Sequence, residues 1–574
     1  MLKFILSVSF CLSAVVSFCQ TDEGFKADRD TEEFSTGSKL SSSLFTESKT
    51  ADLDLLGKVW GFLKYYHPAV AAGNYNWDFE LFRILPRVLE AKNQKELNAI
   101  LNKWVVSLGK LESAKEEVVK QEIKIRPDFS WMDKKALGSE LTLSLEEVRK
   151  AKRSSENYYI GRVANVLNAE FKHEQPYGAM NYHDEGLRLL CLYRYWNIIQ
   201  YFFPYKNLIE EDWNKVLTEF IPKFVKADNE LDYKLTVLAL IARIHDTHAN
   251  ILGMDNTLSY YKGRKYTPIE IGFVENKAVV IDYFDKNRGE RSGLKIGDVV
   301  EKINGSSVEE IVKEKLALTP ASNYPTQLRD IARDLLRSNG FSISIEYWNG
   351  TEKLPAQLNA YNDWEINLYA KYQKKDTCFK MIDKGIAYLY PGSVKNEFLP
   401  KIISEIQKSK GLIIDFRCYP SDFIVFSLGE HLLPKATSFA KLSTGSITSP
   451  GLFTMTDEIK VGKDNPDFFK GKIIIIINET TQSSAEYHTM AFRTAPNATV
   501  IGSTTAGADG NVSQFMLPGL INTRISGIGV YYPDGKETQR IGIIPDFEVK
   551  PTIKGIKERK DEVLERAIKL INEK

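Results

Sequence analysis

The spacing of apolar positions changes character along the chain. From residue 51 to 255 large apolar residues recur at helical intervals, which predicts a helical region. That region repeats itself. Trp60, Tyr65, Pro68, Trp77, Leu81, Pro86 and Ala91 return as Trp196, Tyr201, Pro204, Trp213, Leu217, Pro222 and Ala227; 196 − 60 and 227 − 91 are both 136. A duplicated helical hairpin with aromatic core positions is the reading this favours over a binding surface. From 266 to 352 the runs shorten and become β-like: PIEIGF (268–273), KAVVIDYF (277–284), GDVVEKING (297–305) and FSISIEYW (341–348), with helical spacing over 306–317 and 325–338. From 370 to 552 apolar strands such as GLIIDFR and GKIIIIIN alternate with helix-like segments, the pattern of an α/β layer with a partly parallel sheet. Residues 553–574 close with an amphipathic helix, its apolar face made by Val563, Leu564, Ala567, Ile568 and Ile571.

The first residues do not fit this scheme. Lys3 precedes an apolar run, Phe4 to Phe18, too short to span a bilayer, and Ser17 and Cys19 stand at −3 and −1 for cleavage before Gln20. Residues 1–19 read as an export signal and the mature chain as periplasmic or extracellular, with Cys19 also permitting lipid attachment. Residues 20–50, rich in Ser, Thr, Asp, Glu and Lys, read as a disordered linker. No later segment predicts a transmembrane helix. The formal net charge of +1 and the lack of a basic stretch interleaved with aromatics give no case for a nucleic-acid partner. Beyond the signal, Cys191, Cys378 and Cys418 form neither a disulfide framework nor a CxxC site.

Candidate chemistry concentrates in IIIIINETTQSSAEYHTMAFR (473–493). A buried strand runs into a polar turn, and a helix begins near Ser483. A hydroxyl there is accessible, and the free N–H groups of the helix start can hold an oxyanion. The same residues also make a plain capping box, Ser483 with Glu486. A nucleophilic serine needs a base. His488 lies about 140° around the helix axis from Ser483. His245 and His248, in RIHDTHAN (243–250), close the second repeat; as a pair they could instead hold a metal, but no HExxH pattern or clear third ligand accompanies them. GSTTAGADG (502–510) allows close backbone approach, and Glu537 offers a carboxylate, although on its own it reads as a surface residue. Ile271, Gly272 and Phe273 could present backbone N–H groups to a peptide terminus while the peptide adds as a strand.

Taken together, these motifs resemble the tail-specific, or C-terminal-processing, serine peptidases, which include the tricorn core protease. SGLKIGDVVEKING is similar to that family's PDZ signature, GLIIDFRCYPSD (411–422) to its strand and turn before the active site, TQSSAE (481–486) to its nucleophile motif, and GSTTAGADG and GIIPD (542–546) to its later landmarks. The resemblance covers most of 240–550 and selects Ser483 as nucleophile. Tail-specific members carry a lysine base in a GKG-like loop. Here that loop reads TAGADGN, with Ala508 and Asp509, so the resemblance moves to the histidine-based, tricorn-like branch, with His248 as base and Thr247 as its hydroxyl neighbour. Glu537 is the match for the carboxylate that orients the histidine. Where many relatives have Asn and Gly, this chain has Cys418–Tyr419–Pro420–Ser421; Pro420 lacks an N–H, which leaves the Ser421 and Ser484 amides as the oxyanion donors.

The resemblance implies a multidomain α/β protein: a crotonase- or Clp-like ββα core at 370–552, a PDZ-like domain at 266–352, and the helical region 51–255 carrying His248. It implies an exported serine endopeptidase acting on peptides or unfolded proteins, without cofactor or metal. The competing expectation is an inactive peptide-binding protein, motivated by the missing lysine.

Overall fold

The computed structural model describes residues 24–40, 45–115, 118–368, 377–383 and 385–573. The leader residues 1–19, with Cys19 and Gln20, lie outside them. Among the described residues no helix is long and apolar enough to cross a membrane.

The helical region is built from two matching hairpins. Helices Trp77–Glu90 and Gln94–Ser107 of the first copy correspond to Trp213–Lys226 and Glu230–Ala242 of the second. The repeated tryptophans explain the duplication. Trp60 Nε1 donates to the Trp77 carbonyl and Trp77 Nε1 to the Trp60 carbonyl, both at 2.9 Å. Trp196 and Trp213 make the same reciprocal pair at 2.7 and 3.1 Å. Each indole thus buries its ring and satisfies its only donor. Part of the stretch expected as a linker packs on this region: Phe34 is buried edge-on against Phe79 and Phe82, and Asp30 and Glu33 pair with Arg83. One aromatic anchor and a bidentate guanidinium outweigh the polar composition of that stretch.

The second unit is an antiparallel sheet of Ile269–Val274, Lys277–Tyr283, Val299–Ile303, Ser342–Trp348 and Lys353–Asn359, with Ile269–Val274 at one edge. Helix Tyr324–Leu335 packs beside that edge strand through Leu328, Ile331 and Leu335.

The third unit is a six-stranded sheet in the order Phe379–Ile382, Ile386–Leu389, Gly411–Asp415, Lys472–Ile477, Ala498–Gly502, Phe547–Glu548. Its first pair is antiparallel and the rest are parallel. Both faces are covered, so its central strand is an unbroken isoleucine run. Ile473, Ile475 and Ile477 face helices Leu399–Gln407, Val425–Leu432 and Ser484–Phe492, while Ile474 and Ile476 face the C-terminal helix Glu562–Asn572. Each fully buried isoleucine contributes roughly 1.5–3 kcal/mol. Gly502 ends the neighbouring strand at φ +122°, where a Cβ would stand 1.9 Å from the Ile477 carbonyl oxygen. Only glycine lets the loop after it approach the serine turn.

Candidate active site

The strand Lys472–Ile477 delivers the chain to a short turn, and helix Ser484–Phe492 starts immediately after Ser483. Ser483 has φ +57° and ψ −119°, a backbone conformation an L-residue adopts only under constraint. Two contacts impose it. The Ser483 amide donates to the Ala508 carbonyl and to Glu486 Oε2, both at 3.0 Å. Glu486 is fully buried and also accepts from Thr505 Oγ1 (2.5 Å), Gly507 N (2.9 Å) and Ala508 N (3.1 Å). One carboxylate therefore ties the serine turn to the small-residue loop. Burial raises its pKa, against the pull of these donors. The side chain of Ser483 remains partly exposed.

His248 is 4% exposed and comes from the end of the helical region. It reaches the core because hairpin Val512–Leu517/Ile521–Ser526 docks on that region. Arg194 donates to the Met516 carbonyl, Tyr233 to the Pro518 carbonyl and Leu252 N to the Asn522 carbonyl, each at 2.8 Å. The hairpin ends in Ser526, whose Oγ lies 2.9 Å from His248 Nδ1. Ser526 Oγ also lies 3.0 Å from Asp246 Oδ1, and Ser526 N donates to Asp246 Oδ2 at 2.6 Å. Asp246 is fully buried and accepts further from His248 N (3.0 Å) and Gln539 Nε2 (3.3 Å). The directions follow from the carboxylate. Ser526 Oγ must donate to Asp246, so it accepts from Nδ1–H, and the lone pair is left on Nε2. That is the tautomer a general base needs. Burial lowers the His248 pKa, and the Asp246 carboxylate partly counters that shift.

Thr247 joins the two halves. Its Oγ1 lies 3.0 Å from the Ala506 carbonyl, while Ser483 N binds Ala508 of the same loop. Ser322, just before helix Tyr324–Leu335, accepts from Thr247 N at 3.0 Å. The same helix sends Arg329 to the Glu479 carbonyl (2.8 Å) and Gln482 Oε1 (3.3 Å), immediately before the serine. No hydrogen bond joins Ser483 Oγ to His248, and Nε2 has no partner among the described residues.

Other expected residues are placed differently. Glu537 pairs with Lys124 at 2.8 Å and makes no bond to the imidazole; the carboxylate in that position is Asp246, two residues before His248. The Ser421 amide donates to the Pro391 carbonyl at 3.0 Å and its hydroxyl to the Val394 carbonyl, so this donor is already committed. The Ser484 amide, at the helix start, has no partner among the described residues. His488 is structural: Nδ1 meets the Ser484 carbonyl at 2.5 Å, Nε2 accepts from Ile424 N at 3.0 Å, and burial pulls its pKa down to about 4. His245 belongs to no group of three or more His, Cys, Asp or Glu able to hold a metal among the described residues. Asp509, in the loop where Ser–Lys relatives carry lysine, is buried with a carboxyl pKa pushed far up by burial and then by Glu486. Ile271, Gly272 and Phe273 lie mid-strand on the sheet edge, along a groove of about 660 Å³ between that edge and helix Tyr324–Leu335. The groove runs to Asn478, Glu479 and Thr480, the approach to the serine.

Sequence reading missed Asp246, Ser526 and Gln539. Ser526 and Gln539 lie roughly 280 and 290 positions from His248, and nothing local marks them. Asp246 was in view within RIHDTHAN, but an aspartate two residues from a histidine carries no signal until the backbone turn is known.

Residues 431–549 match peptidase family S41. The chain is 21% identical over 291 residues to the "Probable CtpA-like serine protease" of Staphylococcus aureus (strain COL), covering 50% of this chain. It spans about half, 53%, of that relative's length. The fold is similar to that of mature CPAF complexed with lactacystin: TM-score 0.51, 13% identity, 68% of this chain and 99% of that one. A CPAF point mutant gives TM-score 0.54 at the same identity, over 68% of this chain and 97% of that one. The chain is a distant relative of the tail-specific serine proteases, and its residues 431–549 match peptidase family S41.

Proposed function

We propose that this protein is an exported serine endopeptidase that hydrolyses peptides or unfolded proteins by acyl transfer. The observation that carries the reading is the strained backbone of Ser483 at a strand-to-helix turn, φ +57° and ψ −119°, beside an unpartnered helix amide. His248 Nε2 takes the Ser483 proton, Ser483 Oγ attacks the scissile carbonyl, and the Ser484 amide receives the oxyanion. Asp246, through Ser526, fixes the imidazole and stabilises the imidazolium that forms. Thr247 holds the histidine segment to the serine loop. His248 then protonates the leaving amine, and water releases the acyl group. Ser421 is the second oxyanion donor once its bond to Pro391 opens. Glu537 acts outside the relay. The edge strand with Ile271, Gly272 and Phe273 binds the substrate as an added strand in a PDZ-like manner. The leader-like N-terminus supports export.

The second reading, an inactive peptide-binding protein, is favoured by one observation: Ser483 and His248 are not hydrogen-bonded to each other. Such bonds often tighten only when substrate is bound. The test is cleavage of unfolded casein by the parent beside Ser483→Ala and His248→Ala, with fluorophosphonate labelling of Ser483. Cleavage by the parent alone, with labelling, supports the peptidase. Absence of both, with retained binding of peptides, supports the binding protein.

A further inference from the structure

Four large aromatic side chains stand open around the turn that faces the serine helix: Phe398 (45% exposed), Tyr419 (64%), Phe423 (50%) and Phe426 (45%). Tyr419 and Phe423 lie on the turn after strand Gly411–Asp415, and Phe426 on the first turn of helix Val425–Leu432. Phe398 is brought alongside by Asn396, whose amide donates to Asp422 Oδ2 (3.0 Å) and whose Oδ1 accepts from Ser427 Oγ (3.1 Å).

This turn is fixed to the serine helix. Ile424 N donates to His488 Nε2, and the Phe423 ring lies edge-on to His488, centroids 5.1 Å apart, and 5.9 Å from Tyr487. Tyr487 follows Ser483 by four residues, about one helical turn along the same face. The aromatic shelf therefore begins about one turn from the candidate nucleophile. Asp422, the carboxylate on the turn, is held by Lys395 at 2.8 Å, so the shelf presents little net charge. Soluble surfaces seldom leave such clusters open unless something binds there.

Resting on the serine-peptidase reading, we infer that this shelf is the subsite for a substrate side chain adjoining the scissile bond. The protein then cuts beside large apolar residues, such as Phe, Tyr, Leu or Met. Rings stacked on rings prefer offset or edge-on aromatic partners, and the half-exposed faces of Phe423 and Phe426 offer such a surface.

The test is an internally quenched peptide library varied at the positions flanking one cleavable bond, with fluorophosphonate labelling of Ser483 run in parallel. The full-length protein is expected to favour large apolar residues over alanine by about tenfold or more in kcat/KM. Tyr419→Ser/Phe426→Ser is expected to collapse that ratio toward one while Ser483 still takes the label. Both residues are solvent-facing and neither touches His488, so folding is retained; Phe423→Ser, which loses the His488 contact, serves as a second variant. A parent with label but no preference for apolar residues, or variants that keep the parent's preference, overturns the inference alone. A parent whose Ser483 takes no label removes the peptidase reading and this inference with it.

Discussion

Replacing Asp246 by asparagine separates the two carboxylates that could orient His248. In the structure Asp246 Oδ1 lies 3.8 Å from His248 Nδ1 and also reaches it through Ser526. When the imidazole takes the serine proton, a full charge pair at that distance, at an effective dielectric of about 20, is worth about 4 kcal/mol. That corresponds to a factor of about a thousand in rate. The proton is only partly transferred in the transition state, so the expected loss in kcat/KM is between about 100- and 1,000-fold. Asparagine also presents an amide N–H toward donors that now converge on a carboxylate, so the fold loses about 1–3 kcal/mol, which melting of the variant checks. A purely structural role would lower the plateau and leave the pH profile in place. The relay predicts more. Without the carboxylate that favours its charged form, the histidine pKa falls further, and the acid limb of the kcat/KM profile moves to lower pH. Glu537→Gln, which breaks only the partly buried Lys124 pair, is expected to stay within about threefold, because that pair makes no bond to the imidazole. An Asp246→Asn enzyme within threefold of the parent, or a larger loss in Glu537→Gln, refutes the assignment of Asp246.

Ser483→Gly is expected to raise stability by about 1–3 kcal/mol through release of backbone strain, while Ser483→Ala gives no such gain; denaturant melts of both variants check this. His488 is held neutral with a pKa near 4, so the unfolded chain takes up its proton first. Its contribution is present above about pH 6.5 and is lost as pH falls toward 4, a change of about 3 kcal/mol. Glu486 and Asp509, whose pKa values are raised, act in the opposite sense, so the measurement is the difference between the parent and His488→Gln, which is expected to lose less stability across that window. Trp77→Phe and Trp213→Phe remove the indole bonds to the Trp60 and Trp196 carbonyls and are expected to cost similar amounts, about 1–3 kcal/mol, in thermal or denaturant unfolding; a large cost for one and none for the other contradicts the equivalence of the two hairpins.

The sequence by itself determined the main elements and the turn that carries Ser483. A short, β-branched isoleucine run that ends in a polar turn reads as a covered strand, and a Ser–x–x–Glu after it marks where the helix starts. The 136-residue repeat was legible because each copy rebuilds the same tryptophan pair, which needs the same residues at the same spacing. What surrounds the histidine was not legible. Asp246, Ser526 and Gln539 meet only because Arg194 and Tyr233 dock a distant hairpin onto the helical region. Chain proximity does not encode such a docking, and resemblance pointed to Glu537, whose carboxylate Lys124 holds elsewhere. The state of the Ser421 amide was hidden for a similar reason: which amides in a turn are free depends on the carbonyl that packs opposite, here Pro391. Local pattern fixes which residues are apolar, capped or turned, because those preferences act within a few residues. Hydrogen-bond partners across hundreds of residues are fixed by packing, and so tertiary structure alone decided which carboxylate stands behind the histidine.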